Sequence, residues 1–298
     1  MNNDVSAELI DTIEIGNMLG EGVQWHVTSQ TLWWTDIQKA CLYRYKLKTK
    51  GIKQYIMPER VGCFSFIEND HRLLVGFESG FAFYDISTSE IEWIARPELS
   101  IKGNRLNDGR TDRQGRFWAG SMVEHRNNDK QSAALYCLDN AKHCRKTLND
   151  IEISNGLCWS PDGLTMYHAD SPKRTIYRYD FEPSTGVPSN KRVFAQTSKN
   201  SFPDGACIDS QGCLWSAHWG GRKVVRYSPE GIHNFEIHIP TKQPSCLAFT
   251  GKNLDLLVVT SAKQDLTAKQ LLEEPQAGHV FIYQLTGVSG LEEAQVRW

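Results

Sequence analysis

The chain has 298 residues, of which 40% are hydrophobic and 23% charged, with a formal net charge of −2 and a pI near 6.5. This balance provides no basic stripe for nucleic acid or an anionic membrane surface, and no stretch approaches the roughly 18 consecutive apolar residues of a membrane-spanning helix. With no basic segment and apolar core near Met1 to suggest a secretion signal, we expect a cytoplasmic protein with a small-molecule partner, without nucleic acid or membrane, in an oligomeric state that the sequence leaves open.

The first predicted strand is the stretch LIDTIEIG that begins at Leu9, and it belongs to no complete repeat. After it comes a unit that recurs along the chain. Each copy has a short apolar strand, a turn such as Asp209-Ser210-Gln211-Gly212, and a returning strand that is usually aromatic, as in a β-hairpin. A polar or small residue followed by glycine marks the start of most copies, which begin near Glu21, Val61, Asp108, Asn155, Asp204 and Pro244.

The repeat predicts the fold. Six aligned second-strand positions are separated by 41 to 49 residues, at Trp34, Val75, Trp118, Tyr167, Trp215 and Val258. Several short strands repeating with this period are typical of β-propeller blades. We therefore predict an all-β, six-bladed β-propeller that forms a single domain over residues 1–298, with LIDTIEIG pairing with the last blade to close the ring.

The outer strands and one helix complete the predicted elements. Each aromatic strand is followed by a third strand with alternating aromatics, such as LYRYKL from Leu42, and the variable fourth strand includes GIKQYIM and KRVFAQT. Helix is expected only between Asp265 and Glu274.

The cysteines and histidines give no sign of a zinc centre. None of the eight cysteines forms a CxxC pair, and the nine histidines include no HExxH spacing, so zinc is disfavoured as a dedicated cofactor. Four cysteines lie at corresponding strand positions of different repeats, at Cys63, Cys158, Cys207 and Cys246. We expect them to pack in the core as small hydrophobic side chains.

Polar residues are expected to converge at one end of the propeller axis, because the first strand of each blade lines that axis. They are Glu21, either Asn107 or Asp108, Asn155 and Asp204. These side chains offer only oxygen ligands, which suits a hard cation such as Ca²⁺, with Mg²⁺ or Mn²⁺ as alternatives. Each pair with glycine is also compatible with an ordinary turn, although glutamate is a poor turn residue.

The stretch NRLNDGR is the densest polar segment of the chain. It places Arg105 between Asn104 and Asn107 at the predicted axial rim. A guanidinium there offers a fork of donors to the carbonyl or hydroxyl groups of a substrate.

The motifs LGEGVQW, NRLNDGRTDRQGRFWAGSM, ISNGLCWSPDG, PDGACIDSQGCLWSAHWGG and LLEEPQAGHVF occur in this order over nearly the whole chain. In them the sequence resembles the SMP-30/gluconolactonase/regucalcin-like family. The resemblance implies a six-bladed propeller that binds one divalent cation and hydrolyses sugar lactones, with Ca²⁺ preferred and Zn²⁺, Mg²⁺ or Mn²⁺ as alternatives.

The resemblance also implies roles for individual residues. The metal ligands would be Glu21, Asn155 and Asp204, and the substrate contacts Arg105 and Asn107. The family often has an acidic residue after its G-[ST]-M strand, and this chain reads GSMVEH there. Strand alternation allows only one of Glu124 and His125 to face the pocket, and we take Glu124 as the substrate-binding candidate.

The implied reaction is attack of water on an aldono-lactone, with Asp204 as general base and catalytic residue. No GxSxG motif occurs, which is consistent with attack by water without a serine nucleophile. The sequence does not distinguish gluconolactone, galactonolactone and L-arabinonolactone. A metal-dependent esterase or organophosphatase and a non-catalytic calcium-binding propeller remain alternatives on the same fold.

Overall fold

Six four-stranded antiparallel sheets form this structure, a computed structural model that describes residues 5–298. Strand β1 (Ser6–Ile13) comes first and is followed by the blades. In the first five blades the strands follow one another from the axis outwards. They are β2 (Gly20–His26), β3 (Thr31–Asp36), β4 (Cys41–Lys46) and β5 (Gly51–Ile56); β6 (Val61–Phe66), β7 (Leu73–Phe77), β8 (Gly80–Tyr84) and β9 (Ile91–Ala95); β10 (Asn104–Thr111), β11 (Phe117–Val123), β12 (Ala133–Leu138) and β13 (Cys144–Ile151); β14 (Ser154–Trp159), β15 (Thr165–Asp170), β16 (Thr175–Glu182) and β17 (Val187–Gln196); and β18 (Phe202–Ile208), β19 (Leu214–Trp219), β20 (Lys223–Tyr227) and β21 (His233–His238).

The sixth blade joins the two ends of the chain. Its strands are β22 (Pro244–Thr250), β23 (Leu256–Ser261) and β24 (Val280–Thr286), and β1 pairs antiparallel with β24 as its fourth strand. The first strands β2, β6, β10, β14, β18 and β22 each contact the next, and β22 contacts β2. The sequence prediction of a six-bladed β-propeller, with the LIDTIEIG strand closing it, is therefore confirmed.

The predicted second-strand positions lie between the blades. Trp34, Trp118 and Trp215 are fully buried, because a flat aromatic ring fills the space between two facing sheets. The turn before two of these strands also supports its tryptophan: Asp209 Oδ2 accepts a hydrogen bond of 2.9 Å from Trp215 Nε1, and Asp112 does the same for Trp118. The turn motif that repeats in the sequence therefore anchors the inter-blade packing.

A short helix, α1 (Ala268–Glu273), lies in the segment between β23 and β24, inside the stretch for which the sequence predicted helix. It begins with a capping box between Thr267 and Gln270. In residues 5–298 no helix has the length and apolar character needed to cross a membrane. All eight cysteines are free, and seven are buried, which agrees with the expectation of small core hydrophobes.

The C-terminal segment crosses the far end of the ring, away from the start of the first strands. Val296 forms a bridge with Ile67, just after β6, and Gly290 forms one with Asp209, just after β18. Between them, Glu293 Oε1 accepts a hydrogen bond of 2.6 Å from Nη1 of Arg110, which is buried in β10. This segment therefore ties blades together across the axis.

Candidate active site

A break in strand pairing accompanies each of the predicted axial ligands. The register between first and second strands shifts between Glu21 and Gln24, between Asn155 and Cys158, and between Pro203 and Ala206. Such bulges bend a strand and redirect its side chains. The residue-glycine pairs therefore lie within strands as bulges, and the alternative interpretation as ordinary turns is wrong.

The glycines at these bulges are required by conformation or by close packing. Gly22 and Gly156 have φ values of +57° and +58°, in the left-handed region that glycine adopts without strain. At Gly205 a Cβ atom would lie 2.7 Å from Cys246 Sγ on the next first strand. Glycine thus lets neighbouring first strands approach each other beside the axial side chains.

One cavity of about 340 Å³ contains most of the residues that the sequence singled out. Its polar lining comprises Glu21, Arg105, Asn107, Asn155 and Asp204, which come from four different blades, with Gln264 and Ser171 beside them. Its other lining residues are mostly apolar and comprise Leu19, Met122, Ile153, Pro172, Phe202 and Trp219. The cavity is therefore a polar floor with apolar walls, of the size that small-molecule sites have.

Two carboxyl groups on this floor are buried without a side-chain counterion in direct contact among the described residues. Glu21 and Asp204 are 8% and 6% exposed. Burial, reinforced by the nearby Asp108, raises the pKa of Glu21 to about 8. Burial also raises the pKa of Asp204 well above its usual value, followed by the charges of Glu21 and Asp108. A concentration of buried negative charge like this favours a proton or a bound cation.

A chain of hydrogen bonds orients the amide of Asn155. Its Oδ1 accepts from Asn107 Nδ2 at 3.0 Å, and its Nδ2 donates to Ser171 Oγ at 2.8 Å. Ser171 Oγ in turn donates to the Pro203 carbonyl oxygen at 2.7 Å, next to Asp204. Because the amide nitrogen is engaged by Ser171, the oxygen of Asn155 is fixed on the side of Asn107.

The structure distinguishes between Asn107 and Asp108, which lie where the pairing of β10 with β11 shifts register. Asn107 lines the cavity, whereas Asp108 is buried and accepts a hydrogen bond of 3.2 Å from the Leu157 amide of the next blade. Asp108 therefore supports the contact between β10 and β14 and adds negative charge near the floor.

Glu124 and Asn107 hold the Arg105 side chain in place. Arg105 Nε donates to Glu124 Oε1 at 3.0 Å, and Arg105 Nη1 donates to Asn107 Oδ1 at 2.8 Å. Arg60 also binds Glu124, with Nη1 and Nη2 each 2.8 Å from a carboxylate oxygen. Although burial opposes it, hydrogen bonding from Arg60 and the charge of Arg105 lower the pKa of Glu124 to about 2.

Of the other side chains expected near the cavity, some face it and some do not. The His125 side chain is 81% exposed, whereas Glu124 faces the two arginines. His218, a candidate for the rim, is 3% exposed and lies beside Tyr227, while Trp219 does line the cavity. Sequence reasoning missed Arg60 and Ser171, since neither belongs to a repeated motif.

The chemistry of the floor fits a hard cation. Glu21, Asn155 and Asp204 offer carboxylate and amide oxygens, the ligands that Ca²⁺ and Mg²⁺ take in proteins. Over residues 5–298 no group of three or more His, Cys, Asp or Glu side chains is arranged to hold an ion. The candidate ligand set thus contains only two carboxylates, with the oriented amide of Asn155 as the third donor.

The chain is similar to sugar lactonases over most of its length. Residues 19–263 match the model of the SMP-30/gluconolactonase/LRE-like region. An L-arabinolactonase of Azospirillum brasilense is 38% identical over 90% of this chain and 89% of that protein. A 6-deoxy-6-sulfogluconolactonase of Pseudomonas putida is 35% identical over 89% of this chain and 90% of that protein.

Solved structures agree over the same length. A calcium-binding regucalcin of Agrobacterium tumefaciens superposes with a TM-score of 0.90 at 30% identity, covering 97% of this chain and 98% of its own. A luciferin-regenerating enzyme superposes with a TM-score of 0.87 at 30% identity, covering 99% of this chain and 100% of its own.

Proposed function

Because the chain belongs to the SMP-30/gluconolactonase/LRE-like family, we propose that it is a sugar lactonase that opens aldono-lactones to aldonic acids with a bound divalent cation. The observation that carries this proposal is the joint placement of two buried carboxyl groups, Glu21 and Asp204, beside Arg105 and Asn107 in one cavity. The two carboxyl groups can bind a cation and accept a proton, and the guanidinium and amide groups can donate hydrogen bonds to the oxygens of a polyhydroxylated ester.

Glu21, Asn155 and Asp204 are the residues that would hold the cation. When bound, a divalent cation acts as a Lewis acid toward a carbonyl oxygen and lowers the pKa of water. Ca²⁺ is our first choice because all the donors are oxygens, with Mg²⁺, Mn²⁺ or Zn²⁺ as the alternatives. The regucalcin relative, described as calcium-binding, supports this choice.

Asp204 is the proposed general base. Burial, Glu21 and Asp108 all raise its pKa, which makes it a better proton acceptor than an ordinary aspartate once it is ionised. It takes a proton from water as the water oxygen bonds to the lactone carbonyl carbon. The ring C–O bond then breaks, the proton passes to the departing ring oxygen, and an aldonic acid is formed.

Arg105 and Asn107 bind the substrate in this proposal. Arg105 is fixed by Glu124 and Asn107, so its guanidinium is oriented before the lactone enters. A preorganised donor stabilises the negative charge that develops on the carbonyl oxygen more than a mobile one does. Glu124 is not among the residues that line the cavity, and it acts by holding Arg105.

The proposal is tested by measuring acid release with a pH indicator. The panel contains glucono-, galactono- and L-arabinono-lactones and a phenyl ester, each assayed with added Ca²⁺, Mg²⁺, Mn²⁺ or Zn²⁺ and after chelator treatment. We expect lactone hydrolysis well above the spontaneous rate, loss of activity on chelation and recovery on adding one of the ions. Hydrolysis of the ester without hydrolysis of any lactone would contradict the proposed substrate class.

A further inference from the structure

A second depression adjoins the cavity that holds Glu21 and Asp204, here called the lactone cavity. This groove, of about 550 Å³, is formed by the loop before β18, the residues before β22 and the segment that leads into α1. Phe202 and Trp219 line both the cavity and the groove. They lie opposite each other in the pairing of β18 with β19, so the two depressions share one aromatic wall.

The groove combines apolar and polar surface in the way that a sugar ring requires. Phe202 is 37% exposed and, with Trp219, offers a flat surface to the C–H face of a pyranose. The remaining lining includes the amides of Asn200 and Gln270 and the ammonium group of Lys242. Amides and ammonium groups donate hydrogen bonds to hydroxyl oxygens in several directions.

One side chain at the edge of the groove has an unused acceptor. Gln243 is 5% exposed, and its Nε2 donates to the Gln264 carbonyl oxygen at 3.0 Å. Its Oε1 is buried and has no hydrogen-bond partner within residues 5–298. Buried amide oxygens are nearly always paired, so a donor such as a sugar hydroxyl would complete this group.

We propose that the groove is a subsite for a second sugar ring, so that the enzyme accepts disaccharide lactones in which a glycosyl group is attached to the aldonic part. The lactone end occupies the cavity and the glycosyl ring crosses the shared wall of Phe202 and Trp219. The proposal rests on the lactonase function and deepens it by naming an extended substrate class. Two lysines, Lys199 and Lys242, and one acid, Asp265, also line the groove, and they can donate hydrogen bonds to, and accept them from, the hydroxyl groups of a sugar.

The test compares maltobiono-1,5-lactone and lactobiono-1,5-lactone with glucono-1,5-lactone. The groove variant is the double substitution Lys242→Ala and Gln270→Ala, neither of which lines the lactone cavity. We expect the variant to lose at least tenfold in kcat/KM on one or both disaccharide lactones and less than twofold on gluconolactone. The matched control is Lys252→Ala, at an exposed lysine just beyond the opposite end of β22. It should leave kcat/KM unchanged for the disaccharide lactones and for gluconolactone.

Binding of the products provides a readout that does not need turnover. Calorimetry should show maltobionate or lactobionate binding more tightly than gluconate, and the groove variant should remove this difference. Equal affinity for the one-ring and two-ring acids, or an equal loss on all substrates in the variant, would overturn the subsite. Absence of any lactone hydrolysis, with the two-ring acid still favoured, would instead overturn the lactonase function and leave the subsite standing.

Discussion

Arg110 Nη1 donates a hydrogen bond of 2.6 Å to Glu293 Oε1 across 183 residues of sequence. The guanidinium is buried in the third blade, and the carboxylate comes from the C-terminal segment. Removal of one partner of a buried ion pair leaves an uncompensated charge, at a typical cost of 3 to 5 kcal/mol. The pair therefore links the stability of the ring to the segment that crosses its far end.

We expect Glu293→Ala to lower the free energy of unfolding by about 3 kcal/mol, because Arg110 stays buried without its carboxylate. Denaturant unfolding measures this change. Glu292→Ala, at the exposed neighbouring position, is the control and should cost less than about 0.5 kcal/mol. Equal effects of the two substitutions would show that the ion pair contributes nothing specific.

The Asp204→Asn substitution separates cation binding from proton transfer. Asparagine keeps an oxygen donor of the same size but removes the charge and the proton acceptor. We expect turnover to stay about 10²-fold or more below the wild type even at saturating cation, the usual scale for a lost general base. Full recovery in excess cation would remove the base assignment and leave only a ligand.

Glu124→Gln tests whether Arg105 needs its carboxylate partner. The substitution removes the charge between Arg60 and Arg105, and a hydrogen bond to a charged group contributes about 1.5 to 3 kcal/mol. We expect kcat/KM for lactones to fall by about 10- to 100-fold, chiefly through KM. Glu78→Gln is the matched control, because Glu78 binds Arg60 at 2.6 Å and does not contact Arg105; a similar loss there would contradict the role given to Glu124.

Two buried histidines predict loss of stability in acid. Burial lowers the pKa of His168 to about 4 and that of His218 to about 3, from 6.5. Since the unfolded chain binds protons on these rings below pH 6.5 and the folded protein does not, the free energy of unfolding falls as the pH is lowered. Between pH 7 and 5 each histidine should contribute a loss of about 2 kcal/mol.

The check is the slope of unfolding free energy against pH in His218→Phe, which keeps a ring beside Tyr227 but cannot take up a proton. We expect this variant to lose less stability than the wild type on acidification, whatever its stability at pH 7. An unchanged slope in His218→Phe would mean that His218 does not titrate in unfolding.

The repeats made the fold predictable, because each blade must bury the same positions against its neighbours. Trp34, Trp118 and Trp215 lie where the alignment of second strands placed them. The strand before Glu21 could be assigned to the last blade because it belongs to no complete repeat, and the last blade takes only three strands from its own segment. The bulges could not be predicted, since a residue followed by glycine is compatible with a turn as well as with a break in strand pairing.

The candidate site was only partly accessible from sequence. Glu21, Asn155 and Asp204 follow from the repeat, because equivalent positions converge at the axis. Arg60 has no counterpart in the other copies, and its contact with Glu124 depends on side-chain directions that no spacing records. The groove beside the cavity was likewise not predictable from spacing, because its three segments come from loops of different blades.

The pairing of β1 with β24 determines when the ring can close during synthesis. Ile13 is made early and pairs with Val280, so β1 has no strand partner until nearly the whole chain has left the ribosome. Until then the growing protein presents an open arc of blades with unpaired strand edges, the kind of surface on which chains associate wrongly. The growing chain should therefore stay open to wrong association until β24 pairs with β1.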